Sequence, residues 1–204
     1  MFKKTGLILL VLTLATGMVF VGCGDSGGGG GVDTVVFQLS TNAAFQALTT
    51  SATKDQAFQA TGDFLEGVGE NAASTGVVVE DGKNALRFVI PASTDWGAGI
   101  RFIDVGKFNF TAGDTLQITG KINAIGNATH LFLDSGSGGT AKTVPGSNTA
   151  ISNGESFSIN VTLTAGDVSD IKASTDKKLK LRPAAETGSG LSFTITEILY
   201  TGIR

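Results

Sequence analysis

The chain of 204 residues carries 15 basic and 18 acidic side chains, a formal charge of −3, with one cysteine, one histidine and one tryptophan. That balance argues against the basic surface a nucleic-acid partner requires, and a lone cysteine excludes an intramolecular disulfide. Beyond the glycine-rich stretch near the start, about 170 residues remain, enough for one domain with a full core and hardly enough for two.

Lys3 and Lys4 precede an uncharged apolar run from Gly6 to Val21, which Gly22-Cys23 closes. This is the layout of a secretory signal peptide, and the run is shorter than the roughly 20 residues that span a bilayer. Phe20-Val21-Gly22-Cys23 resembles the lipobox of bacterial lipoproteins, with Phe20 where that family usually has Leu. The resemblance implies that residues 1–22 are removed and that Cys23 becomes the acylated first residue. It also implies export and attachment to a membrane of the bacterial cell envelope, at the outer membrane or cell surface. An ordinary cleaved signal with a stray thiol and an uncleaved anchor are the alternatives. Removal of Lys3 and Lys4 leaves 13 basic against 18 acidic residues, a formal charge of −5. Gly24-Asp25-Ser26 and the five glycines Gly27 to Gly31 have no side chains to bury, so residues 23–32 read as a flexible tether. Acyl chains such as palmitate contribute about 0.8 kcal/mol per buried CH2, so a multiply acylated Cys23 anchors stably. Residues 33–204 are expected to form the single domain.

Val35–Leu39 reads as the first strand. Ser40–Gly62, rich in Ala, Thr and Gln, stays open between extended structure and a short helix over Asn42–Leu48 capped by Asn42. From Val77 the pattern sharpens. Val77–Glu80 and Ala85–Ile90 flank Asp81-Gly82, the dipeptide that supplies the positive φ angles of a tight hairpin. Pro91 ends the second run, where its missing N–H does least harm. Further strands are predicted over Gly99–Asp104, Thr115–Asn123, His130–Asp134, Ser156–Thr164, Lys178–Arg182 and Leu191–Tyr200, with Gly-, Ser- and Asn-rich turns between them. In Ser156–Thr164 the apolar residues are Phe157, Ile159, Val161 and Leu163, alternating with Ser158, Asn160 and Thr162. Leu116, Ile118 and Ile122 alternate in the same way with Gln117, Thr119 and Lys121. One face is buried and the other meets solvent. Short half-buried strands at this density of turn signals predict an all-β sandwich or barrel.

The order of these signals from Asn84 to Tyr200 resembles bacterial carbohydrate-binding modules of the β-jelly-roll kind, in particular families 4, 9 and 22. The resemblance lies in Ala85-Leu86-Arg87-Phe88-Val89, a loop that can carry tryptophan, and Gly99-Ile100-Arg101-Phe102-Ile103. It continues through Phe110-Thr111-Ala112-Gly113-Asp114-Thr115 and the final Leu191–Ile198. It covers a little over half the chain and implies a β-sandwich of jelly-roll type that binds glycan without catalysis. The family's last strand commonly carries an Asp that holds a structural calcium, where the nearest acid here is Glu197. Its sugar platforms are mostly Trp and Tyr, of which this chain has Trp96 and Tyr200 alone.

Sugars lay their C–H faces on aromatic rings and bond their hydroxyls to planar polar side chains, and Trp offers the largest rigid platform. Trp96 follows Pro91 in a loop, where binding residues concentrate. It also shares parity with Ala98, Ile100 and Phe102, so it reads either as a ligand platform or as a core or rim ring. Arg87 and Arg101 sit symmetrically about Thr94. If their strands form one hairpin, they lie close together, and like charges there need neutralising. Asp95 or Asp104 can do so; alternatively the pair joins Gln117 and Lys121 as a polar floor for sugar hydroxyls or an anionic glycan.

Lys178, Lys180 and Arg182 alternate with Leu179 and Leu181 and read as a solvated face, suited to guarding an edge strand. Asp134 with Ser135–Gly139, and Gly166–Asp170, offer oxygens to calcium but match no dedicated calcium-loop spacing, so turn acids are their default reading. His130 has no Cys near it, which disfavours a transition-metal site. No nucleophile-elbow motif accompanies it. Glu66, Glu70, Glu80, Glu155, Glu186 and Glu197 form no cluster in sequence, although a hydrolytic carboxylate pair need only be close in space. The expectation is therefore a non-catalytic lipoprotein without a cofactor, binding carbohydrate through Trp96, Arg87, Arg101, Gln117 and Lys121. The alternative from another class is a structural or adhesin-like lipoprotein that contacts protein and has no sugar site.

Overall fold

Asp81 and Gly82 adopt φ angles of 48° and 76°, the two successive left-handed residues that a two-residue hairpin turn requires. They join the longest clear pair of predicted strands and set the register from which one sheet grows. The computed structural model describes residues 33–62, 64–66, 74–90, 100–103, 108–135, 142–174, 177–184 and 190–203. In chain order the strands are β1 (Asp33–Gln38), β2 (Leu65–Glu66), β3 (Ser74–Glu80), β4 (Lys83–Val89), β5 (Ile100–Ile103) and β6 (Thr115–Ala124). They continue with β7 (His130–Ser135), β8 (Lys142–Thr143), β9 (Thr149–Ala150), β10 (Ser156–Thr162), β11 (Lys178–Ala184) and β12 (Ser192–Ile203). The helices are α1 (Ala43–Gln46) and α2 (Lys54–Ala60), between β1 and β2, and α3 (Ala165–Ala173), between β10 and β11.

The strands form two antiparallel sheets. Sheet I runs β10-β6-β12-β4-β3, with β1 also paired to β12. Sheet II runs β2-β5-β11-β7-β8, with β9 also paired to β7. Both send alternate side chains into one apolar core: Leu116, Ile118, Leu86 and Phe193 from sheet I, and Leu131, Leu133, Leu179 and Leu181 from sheet II. This is the all-β sandwich that the period of two predicts.

Aromatic rings fill the space between the sheets. Phe88 stacks on Phe193 at 5.2 Å between centroids, and Phe157 meets Phe193 edge-on at 6.1 Å. Tyr200 is fully buried, and its hydroxyl donates to the buried carboxylate of Asp114. Asp114 also accepts from the Thr111 backbone N–H at 2.9 Å and the Thr111 hydroxyl at 2.8 Å, closing the turn before β6. Gly120 is needed for a different reason than turn geometry. A Cβ there would lie 2.1 Å from the Thr194 carbonyl oxygen and 2.8 Å from two atoms of the Phe157 ring.

Two helical features depart from the sequence reading or settle it. Asn42 does cap a helix, accepting from Phe45 N at 2.9 Å, but α1 is a single turn. The stretch Gly166–Asp170, read as a turn, belongs to α3 instead. Thr164 and Asp167 form a reciprocal cap at its start, which satisfies backbone donors that a helix N-terminus leaves open. Val168 and Ile171 are its buried residues.

Candidate functional site

The strands β4 and β5, which would have to form one hairpin for Arg87 and Arg101 to lie close together, belong to different sheets. Both edges of β4 are taken, by β3 and by β12, while β5 sits between β2 and β11. Arg87 and Arg101 are therefore not cross-strand neighbours, and no like-charge pair has to be neutralised between them. Trp96, Asp95, Asp104 and Cys23 lie outside the described residues. What the topology brings together is a different set on each sheet.

On sheet I, Arg87 and Lys121 are both in register with Thr194, one on each side of β12. Their side chains are exposed on the outward face, opposite the core residues Leu86, Phe88 and Ile122. Thr194 between them is buried and accepts from the Asn123 amide at 3.0 Å. Gln117 lies on the same face four residues before Lys121, in register with Leu199.

On sheet II, the register places Glu66, Arg101, Lys180, Asp134 and Thr143 in one row across five strands. Lys180 alternates with the core residues Leu179 and Leu181, so it belongs to the outward face, yet it is only 6% exposed. The expectation of a solvated, edge-guarding Lys178–Arg182 is overturned here. β11 is the central strand of sheet II, paired on both sides, and a long side chain in mid-sheet is covered by its neighbours.

Arg182 donates from Nη1 to Asp134 Oδ2 at 2.7 Å, with side-chain exposures of 16% and 6%. Thr143 donates to Asp134 Oδ1 at 3.3 Å, and the guanidinium carbon stands 6.0 Å from the centroid of the half-buried Phe132 ring. The cluster offers a carboxylate that accepts, a guanidinium that donates, and an adjacent aromatic ring. Asp134 and Arg182 were legible only separately, as a turn acid and as part of a charged face. Their meeting depends on β7 pairing with β11, which the sequence signals do not specify.

Among the described residues, the carboxylates suit metal chemistry poorly. An open hollow of about 290 Å³ at the β3–β4 turn is lined by Glu80, Asp81, Lys83 and Glu197 among others. Glu197 stands nearest the position where the resemblance implies a calcium ligand. Its carboxylate accepts from Ser40 N at 3.1 Å, Ile198 N at 3.0 Å, Gln38 Nε2 at 3.2 Å and the Ser40 hydroxyl. Calcium requires several oxygen ligands turned toward it, whereas these neighbours turn hydrogens toward the carboxylate. Asp134 is engaged by a cation already, and Asp167 caps α3. Tyr200, the second aromatic named as a possible platform, is core.

No protein-family model matches the chain, and no curated protein matches it in sequence. Solved structures do. The N-terminal family 22 carbohydrate-binding module and glycoside hydrolase modules of endo-1,4-β-D-xylanase 10B from Clostridium thermocellum, solved with xylohexaose, match with a TM-score of 0.50 at 12% identity. The match covers 84% of this chain and 29% of that one, so this chain spans under a third of its length. The C-terminal family 22 module of the same enzyme gives a TM-score of 0.49 at 11% identity, over 79% of this chain and 96% of that chain. The K2 cleaved adhesin domain of Lys-gingipain gives 0.42 at 12% identity, over 84% of this chain and all of that chain. Likeness of this order is a likeness of fold and assigns no residue a role. The described domain has the antiparallel β-sandwich fold found in the family 22 carbohydrate-binding modules.

Proposed function

We propose that the protein is an exported, acylated, non-catalytic module that binds neutral polysaccharide on the outward face of sheet II. The observation that carries this reading is the Asp134–Arg182 pair beside Phe132. Ion pairs taken out of water contribute little net stability, and a well-packed apolar pair would serve the fold as well. A desolvated carboxylate and guanidinium held side by side suit vicinal sugar hydroxyls, which both donate and accept. The Phe132 ring supplies the apolar surface for a sugar C–H face. The solved structure with xylohexaose supports xylan as the first ligand to try.

The test is affinity electrophoresis of the full chain through gels containing neutral xylan or mixed-linkage glucan, alongside quenching of the single tryptophan. Phe132→Ala is expected to weaken binding about tenfold, equivalent to about 1.4 kcal/mol. Absence of binding to every glycan in the panel would sink the reading. Attachment at Cys23 is tested separately: Cys23→Ala should move the protein from the membrane to the soluble fraction.

One observation favours a protein-binding alternative. β3 ends the described path of sheet I, and Val79 near its end is 56% exposed. An open edge with an exposed apolar residue can pair with another chain. A Val79→Lys variant that loses co-purifying protein while retaining glycan binding would support it.

A further inference from the structure

We infer a second binding face, on the outward side of sheet I, that takes the carboxylate groups of an acidic polysaccharide. Arg87 and Lys121 are two strands apart, about 10 Å at the usual strand spacing. Among the described residues neither has a hydrogen bond or an ion pair to another side chain. The outward positions immediately around them by register are Gly76, Val89, Ser192, Asn123, Thr119 and Ser156. None of these is acidic; the nearest carboxylate by register, Glu197 opposite Thr119, is engaged by Ser40, Gln38 and the Ile198 N–H. Two uncompensated cations within a Debye length of each other create a local positive potential on an otherwise acidic protein.

The groups between them are hydrogen-bonding and poorly hydrated. Thr194, 1% exposed, accepts from Asn123 and keeps its own hydroxyl proton to donate. Ser192, two residues earlier on the same strand face and 6% exposed, has a buried hydroxyl without a partner among the described residues. A buried hydroxyl left unpaired is costly, so a ligand that engages it gains accordingly. The face thus offers two cations, two hydroxyls and one amide, an excess of donors. That chemistry recognises carboxylates strung along a sugar chain, where each carboxylate accepts charge-assisted bonds and neighbouring hydroxyls meet Thr194 and Ser192. A neutral glycan would leave both cations unanswered. A flat anionic lipid surface would answer the cations but not the recessed hydroxyls.

The experiment is retardation of the full chain in gels containing polygalacturonate. Wild-type protein should be retarded at low ionic strength and progressively less as salt rises. Arg87→Gln with Lys121→Gln should raise the apparent Kd about tenfold, or about 1.4 kcal/mol, whereas Arg87→Lys with Lys121→Arg should retain most of the retardation. Thermal melts of both double variants check that they fold. No retardation of wild type, or equal retardation of the Gln double variant, would overturn the inference. So would binding of wild type to phosphatidylglycerol vesicles but not to polygalacturonate, which would make the face a membrane contact. Parallel gels with neutral xylan report on sheet II, so the two binding faces fail separately.

Discussion

On sheet I Arg87 and Lys121 face solvent; on the central strand of sheet II Lys180 is buried and Arg182 half-buried. Arg87 and Lys121 stand exposed on strands that flank Thr194, with no ion pair among the described residues. Lys180 and Arg182 stand on a strand paired on both sides, and Asp134 answers Arg182 at 2.7 Å. The alternation of polar and apolar residues is the same in both sheets, so the period of two decides only which side of a strand faces out. β4 and β6 are paired on both sides as β11 is, so the neighbouring side chains, not strand pairing, decide whether the outward side is wet. A charged residue on a central strand between other long side chains is screened little and must be partnered, while one beside Ser, Thr and Gly stays hydrated.

The largest expected effect tests this difference directly. Asp134→Ala leaves the Arg182 guanidinium in a buried place without its carboxylate, and should cost about 3–4 kcal/mol in urea denaturation. Replacing both partners, Asp134→Leu with Arg182→Met, should recover most of that loss while abolishing retardation by xylan. Loss of stability in the double variant equal to that in the single would show that the pair serves the fold rather than a ligand.

The next effect concerns the inner side of the strand that carries Lys121. Gly120→Ala drives a methyl group to 2.1 Å from the Thr194 carbonyl oxygen, a backbone atom that cannot swing aside. Overpacking of this kind should cost about 2–3 kcal/mol. A melt shifted by much less would mean that β6 and β12 can separate locally without disturbing the Phe157–Phe193 contact. Tyr200→Phe is smaller. It removes the hydroxyl that donates to Asp114 and should cost about 1 kcal/mol, read from the same denaturation curves.

Much of this fold was legible in the residues because local rules suffice for it. Asp81-Gly82 announces its hairpin through the φ angles it tolerates, and Ser156–Thr162 announces its buried face through Phe157, Ile159 and Val161. Helix α3 left a fainter trace. Thr164 and Asp167 have the spacing of a reciprocal cap, but only Val168 and Ile171 follow as apolar partners, and Gly166 weakens the pattern. The sites were far less legible than the fold. Arg87, Gln117 and Lys121 share one outward face, because β4 and β6 both alternate cleanly and flank β12. Arg101 stands on β5 in the other sheet, and parity carries no information about which sheet a strand joins. Asp134 and Arg182, 48 residues apart, could be brought together only by the β7–β11 pairing.

The smallest expected effect is on the exposed side. Arg87→Gln and Lys121→Gln, alone or together, should change stability by less than about 0.5 kcal/mol, because surface substitutions away from packed or paired groups rarely do more. Among the described residues neither side chain has an ion pair to give up, and glutamine keeps enough of each aliphatic stem to cover Thr194. Removing two like charges can even relieve a little repulsion, which would appear as a slight rise in the melting temperature at low salt that vanishes at high salt. A clear loss of stability would instead mean that these side chains shield Thr194 and Ser192 from water as part of the fold. In that case the uncompensated charge on sheet I would have a structural reason, and the two faces would differ in hydration alone. Neutral stability together with lost polygalacturonate retardation separates the cases, because only a ligand gives two exposed, unpartnered cations something to do.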